Sequence, residues 1–105
     1  MRRVVVTGLG IVSSIGNNCQ EVLDSLREGR SGIEYIDQYK ELGFRSHIAG
    51  TVNLNTEELI DRKLRRFMGN SAAYNYIAMQ EAVTDAGLGE DMVSSERTGL
   101  IAGSG

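Results

Sequence analysis

Two short apolar runs set the problem this chain has to solve. Val4, Val5 and Val6 stand together near one end, and Leu100, Ile101 and Ala102 near the other. A strand with one wet face alternates apolar and polar residues. Adjacent apolar residues without alternation belong to a strand covered on both faces, as in parallel sheets. Parallel strands need a crossover of about a dozen residues or more, and roughly ninety separate these two. The excess predicts an insertion, over about Arg30 to Met68, ahead of a covering helix. Two strands do not make a stable open sheet. Both faces and both edges therefore ask for partners, and the expected class is α/β with the chain an incomplete part of a larger layered domain. The glycine-rich continuation of the second run, Gly103-Ser104-Gly105, fits the same expectation: an N-terminal piece of a longer protein.

Between the runs the local signals are clear in places. Thr7, Gly8 and Gly10 break the first strand into a tight turn. Asn18 is a good helix N-cap with Glu21 three residues on, and Cys19, Val22, Leu23 and Leu26 form one apolar stripe. Gly29 stops that helix. Arg30 to Tyr39 reads as a turn, Tyr39 to Gly43 as one helical turn, and Ser46 to Leu54 as an extended stretch. Asn55 or Thr56 caps a short helix through Ile60. The longest helix is predicted over Asn70 to Ala86, with a broad face of alanines that permits close approach to a neighbour. Gly87 ends it, and Leu88 packs back on Val83. A polar connection over Gly89 to Glu96 leads to the Thr98–Gly103 strand. There is no proline, so the 13 glycines carry the turns.

Composition excludes several classes. Hydrophobic content of 41% and charged content of 24% suit a soluble globular protein. No apolar run is long enough to span a membrane, and the short run after Arg2 and Arg3 lacks a signal-peptide pattern. One cysteine cannot form an internal disulfide and fits a reducing cytoplasm. The net charge of −3 argues against general nucleic-acid binding.

Four motifs invite chemistry. Gly8-Leu9-Gly10 carries two of the three glycines of a dinucleotide loop, but no strand leads to an acidic partner at the expected spacing, and the helix begins late. A structural turn is the stronger reading, and a nucleotide-binding α/β module is the alternative. Cys19 sits at a helix start yet on the apolar stripe, so it reads as structural rather than as a nucleophile. His47 has no neighbouring ligands for a metal site. The basic cluster differs. Arg62, Lys63, Arg65 and Arg66 are four of the eleven basic residues of an acidic chain. Leu64, Phe67 and Met68 are spaced to face inward and leave the cations on the rim. Such a patch suits an anionic partner. No interleaved aromatic platforms favour nucleic acid, and an acidic protein or its phosphate-bearing group fits at least as well. A non-catalytic binding module using this patch alone is a further alternative.

Together these stretches resemble a known family. Val-Thr-Gly-Leu-Gly-Ile-Val-Ser-Ser-Ile-Gly-Asn-Asn (Val6 to Asn18), Leu-Arg-Glu-Gly-Arg-Ser-Gly-Ile (Leu26 to Ile33), Ile-Asp-Arg-Lys (Ile60 to Lys63) and Gly-Leu-Ile-Ala-Gly-Ser-Gly (Gly99 to Gly105) are similar to the N-terminal quarter of the β-ketoacyl-acyl carrier protein synthases. The Ser-Ser-Ile-Gly-Asn-Asn and Ile-Asp-Arg-Lys segments favour the type I branch over type II. The resemblance implies a thiolase-like fold of α-β-α-β-α layers, of which residues 1–105 are the N-terminal part of the first half, in a homodimer. It implies fatty acid elongation by decarboxylative Claisen condensation with malonyl-acyl carrier protein and no cofactor. The family's nucleophilic cysteine and two histidines fall on no position of this sequence, since neither Cys19 nor His47 stands in the matching motif. The fragment alone is therefore expected to be inactive. The resemblance also places the basic residues that dock the acidic acyl carrier protein at Arg62, Lys63 and Arg66, with Arg45 a fourth, and leaves the role of Arg65 unassigned.

Overall fold

The computed structural model describes residues 1–105, which divide into two compact units: Ile11–Asn55, and Met1–Gly10 together with Thr56–Gly105.

In the Ile11–Asn55 unit, helix α1 (Cys19–Glu28) begins where the cap predicts. The Asn18 side-chain oxygen accepts from the Glu21 N–H at 2.9 Å. The Glu21 carboxylate accepts from the Asn17 N–H at 2.7 Å, one residue earlier than a standard capping box. Gly29 adopts the left-handed conformation, and the Arg30 N–H closes the helix on the Ser25 carbonyl at 2.9 Å. Ser25 is buried because its hydroxyl reaches the Ile15 carbonyl at 2.6 Å. Strand β1 (Ile33–Tyr35), helix α2 (Asp37–Glu41) and strand β2 (Ile48–Gly50) follow. The strands pair antiparallel, Ile33 opposite Gly50 and Tyr35 opposite Ile48. The extended stretch expected over Ser46 to Leu54 thus contains β2, while β1 lies inside the segment expected to be a turn.

The other unit is helical: α3 (Thr56–Leu59), α4 (Arg62–Arg65), α5 (Asn70–Ala86) and α6 (Glu90–Val93). Helix α5 has the predicted bounds, and the Leu88 N–H bonds the Val83 carbonyl at 3.2 Å behind the left-handed Gly87. Its alanines do what their density suggests. A Cβ on Gly8 or Gly10 would collide with the α5 backbone, at the Ala82 and Ala78 carbonyl oxygens respectively. Only a residue without a Cβ permits that approach. The Asp85 carboxylate accepts the Leu9 N–H at 3.0 Å and pins the turn to the helix. Helix α6 was not anticipated in the polar connection.

The two expected β-strands are corrected. Neither Arg2–Val6 nor Thr98–Gly103 enters a strand ladder. Val6 is 80% and Ile101 97% exposed. Apolar residues at both faces encode a strand only when a neighbour completes its hydrogen bonds, and no segment of the chain does so. The buried apolar residues are Ile60 and Ala73.

Candidate functional site

The basic cluster is built on a short stretch with a firm anchor. Ile60 is 3% exposed, and its burial contributes about 2 kcal/mol. Its N–H bonds the Thr56 carbonyl at 3.1 Å. Asp61 then turns the chain and caps α4: its side-chain oxygen accepts the Lys63 N–H at 2.8 Å, and its carbonyl accepts from Leu64 and Arg65, both at 2.9 Å. In Ile-Asp-Arg-Lys, therefore, the first residue anchors, the second caps, and the next two begin the helical turn that presents them.

Helical geometry sorts the four cations. Successive side chains are about 100° apart. Lys63 and Arg66 thus lie about 100° and 40° from Arg62 on one side, and Arg65 falls about 60° to the other. Arg62, Lys63 and Arg66 are exposed. Arg66 places its guanidinium carbon 4.6 Å from the centroid of the Phe67 ring, a cation–π contact. Glu57, Arg62, Arg65 and Arg66 border an open hollow of about 530 Å³.

Two expectations about this segment need correction. Phe67, expected to face inward, is 79% exposed, and Leu64 is also exposed. Arg65, expected on the rim with the other cations, is half-buried and turned into its own unit. Its Nε donates to the Thr56 hydroxyl at 2.8 Å, Nη1 to the Met68 carbonyl at 2.5 Å and Nη2 to the Asn70 side-chain oxygen at 3.3 Å. A planar fork of donors with acceptors on three sides outweighs the ordinary preference of arginine for solvent.

Arg45 is exposed on the bend between α2 and β2, in the Ile11–Asn55 unit. Cys19 is half-buried at the start of α1. His47 is tied by Nε2 to the Phe44 carbonyl at 2.8 Å, with its ring edge-on to Tyr35. No group of three or more His, Cys, Asp or Glu side chains is arranged to hold a metal ion, and no helix is long and apolar enough to cross a membrane.

Against protein families, residues 1–105 match the β-ketoacyl synthase N-terminal domain over their whole length. The chain belongs to the β-ketoacyl synthase family. That membership carries the thiolase-like α/β class, of which these helices and short strands are an incomplete part. The chain is 60% identical to 3-oxoacyl-[acyl-carrier-protein] synthase 1 of Haemophilus influenzae and 58% identical to the synthase 1 of Escherichia coli K12, each match covering 100% of this chain and 26% of the relative. Identity falls to 36%, over 99% of this chain and 25% of the relative, for 3-oxoacyl-[acyl-carrier-protein] synthase 2 of Staphylococcus aureus. The difference favours the type I branch, as the Ile-Asp-Arg-Lys segment indicated. The chain spans about a quarter of the length of these β-ketoacyl synthases.

Proposed function

We propose that this chain is the N-terminal portion of a type I β-ketoacyl-acyl carrier protein synthase and that it contributes the surface on which the acidic carrier protein docks. The full-length enzyme extends a fatty acyl chain: it holds the acyl group as a thioester and joins it to the malonyl unit delivered by the carrier, forming a carbon–carbon bond as carbon dioxide leaves. In this reading the nucleophilic cysteine and the two oxyanion-binding histidines come from parts of the enzyme outside residues 1–105. The enzyme works as a cytoplasmic homodimer and needs no cofactor.

The observation that supports the docking role is the sorting of cations on α4. Arg62, Lys63 and Arg66 are exposed on one side of a capped and anchored turn. Arg45 is exposed on its own bend and is assigned as a fourth contact. Charges of this kind steer encounter and fix the orientation of an acidic partner more than they add affinity.

The nucleotide-binding alternative has lost its footing. The sides of Gly8 and Gly10 that lack a Cβ face α5 backbone, so the open backbone that a phosphate requires is taken. Steady-state condensation by the full-length enzyme tests the docking role. The double variant K63E/R66E is expected to raise KM for the carrier-linked substrates by about tenfold or more. A wild-type KM in that variant would remove the assignment.

A further inference from the structure

Arg65 sits among the cations of the docking patch but is engaged inward. At least three of its five N–H groups are taken: by Thr56 at the start of α3, by the Met68 carbonyl just after α4, and by Asn70 at the start of α5. The Thr56 hydroxyl belongs to a residue only 6% exposed. One side chain therefore ties the beginning of one helix, the exit of a second and the beginning of a third.

The need for such a tie follows from the length of α4. It is a four-residue helix. A single turn forms at a net cost in conformational entropy and does not persist alone. Asp61 satisfies its N-terminal end, and capping sets where the helix begins without fixing how it is turned about its axis. That angle decides which side chains meet a partner. Arg65, projecting opposite Lys63, is placed to fix it.

We infer that Arg65 is a positioning residue for carrier-protein docking: it holds the α4 turn so that Arg62, Lys63 and Arg66 are presented together, and it is not itself a docking charge. This rests on the docking role proposed above and deepens it. A docking cation works by its charge, and lysine replaces it well. A positioning arginine works by its planar fork, which lysine cannot supply. The two roles thus predict opposite outcomes for a charge-conserving substitution.

The test uses the full-length enzyme and an acyl-loaded acidic carrier protein, with Kd measured across a range of salt concentrations. R65K is expected to weaken binding by about tenfold, as R65Q does, with the wild-type salt dependence kept in R65K. T56V, which removes one acceptor at nearly constant volume, is expected to weaken binding several-fold, and R65K/T56V to bind no more weakly than R65K. T56V also carries the test by itself if R65K does not fold. R65K or T56V binding with the wild-type Kd would overturn the inference. So would R65Q alone weakening binding with a shallower salt dependence, the behaviour of a lost docking charge. K63E/R66E serves as the reference. A wild-type Kd there would remove the docking role itself, whereas a weakened K63E/R66E beside an unaffected R65K would remove only the role given to Arg65.

Discussion

Arg66 and Phe67 form a stacked pair on the surface, the guanidinium carbon 4.6 Å from the ring centroid. The ring is exposed, so its burial contributes little within this chain. The contact restrains a flexible cation, and in the docking role proposed above that restraint lowers the entropy the cation loses on meeting an anionic partner. Phe67→Leu in the full-length enzyme is accordingly expected to weaken carrier-protein binding by about threefold while the salt dependence stays unchanged. A titration at several salt concentrations checks both parts.

Asp61 is the second support of the patch. Removing its capping oxygen in Asp61→Ala leaves the Lys63 N–H without its acceptor and is expected to cost about 1 kcal/mol of stability. Asp61→Asn keeps a capping oxygen and should recover most of the loss. Denaturant unfolding of the three full-length proteins measures the difference.

The glycine turn makes a sharper prediction. The Cβ of Gly10→Ala would run into the Ala78 carbonyl. Backbone on both sides of the clash leaves no flexible group to yield, so a loss of about 3 kcal/mol is expected. Gly69→Ala is the reference: nothing lies within 4 Å of its added methyl and its φ is −73°, so it costs only the preference of the α5 N-cap for glycine over alanine, about 1 kcal/mol or less. Comparative thermal unfolding should place Gly69→Ala slightly below the wild type and Gly10→Ala well below both.

These residues also show what could be read from sequence and what could not. Helices α1 and α5 were legible because Asn18 starts the first, and Gly29 and Gly87 end the two, each directly adjoining the helix it bounds. The closeness of α5 to the glycine turn was half-legible: the alanines announced an approach, but not the segment approached. The two apolar runs were misread as paired strands because a ladder is a property of two segments, and a single segment shows only its readiness for one. Strand β1 was missed because three residues are too few for alternation to register. In the basic cluster, the spacing of Leu64, Phe67 and Met68 placed Arg65 on the rim with its neighbours. Its inward course depends on Thr56 and Asn70, nine residues before it and five after, and no rule of periodicity links an arginine to those two oxygens.

Exposed apolar surface leads to a prediction about the 105 residues by themselves. Ile60 and Ala73 are the buried apolar residues, while Val4, Leu26, Phe67, Leu100 and Ile101 stand more than half exposed. So little burial does not offset the entropy of ordering the chain. The isolated chain is expected to bind a hydrophobic dye and to melt without a cooperative transition. Well-dispersed amide resonances and a sharp melt would contradict this.

The claim that matters most is that the α4 cations receive an acidic carrier protein, and the association rate constant tests it most directly. For the full-length enzyme it should fall steeply as salt rises, because exposed charges separated by more than a Debye length of about 8 Å at physiological ionic strength are screened. In K63E/R66E it should be at least about tenfold lower at low salt and nearly flat across the salt series. Identical rate constants and salt dependence in the two proteins would contradict the account.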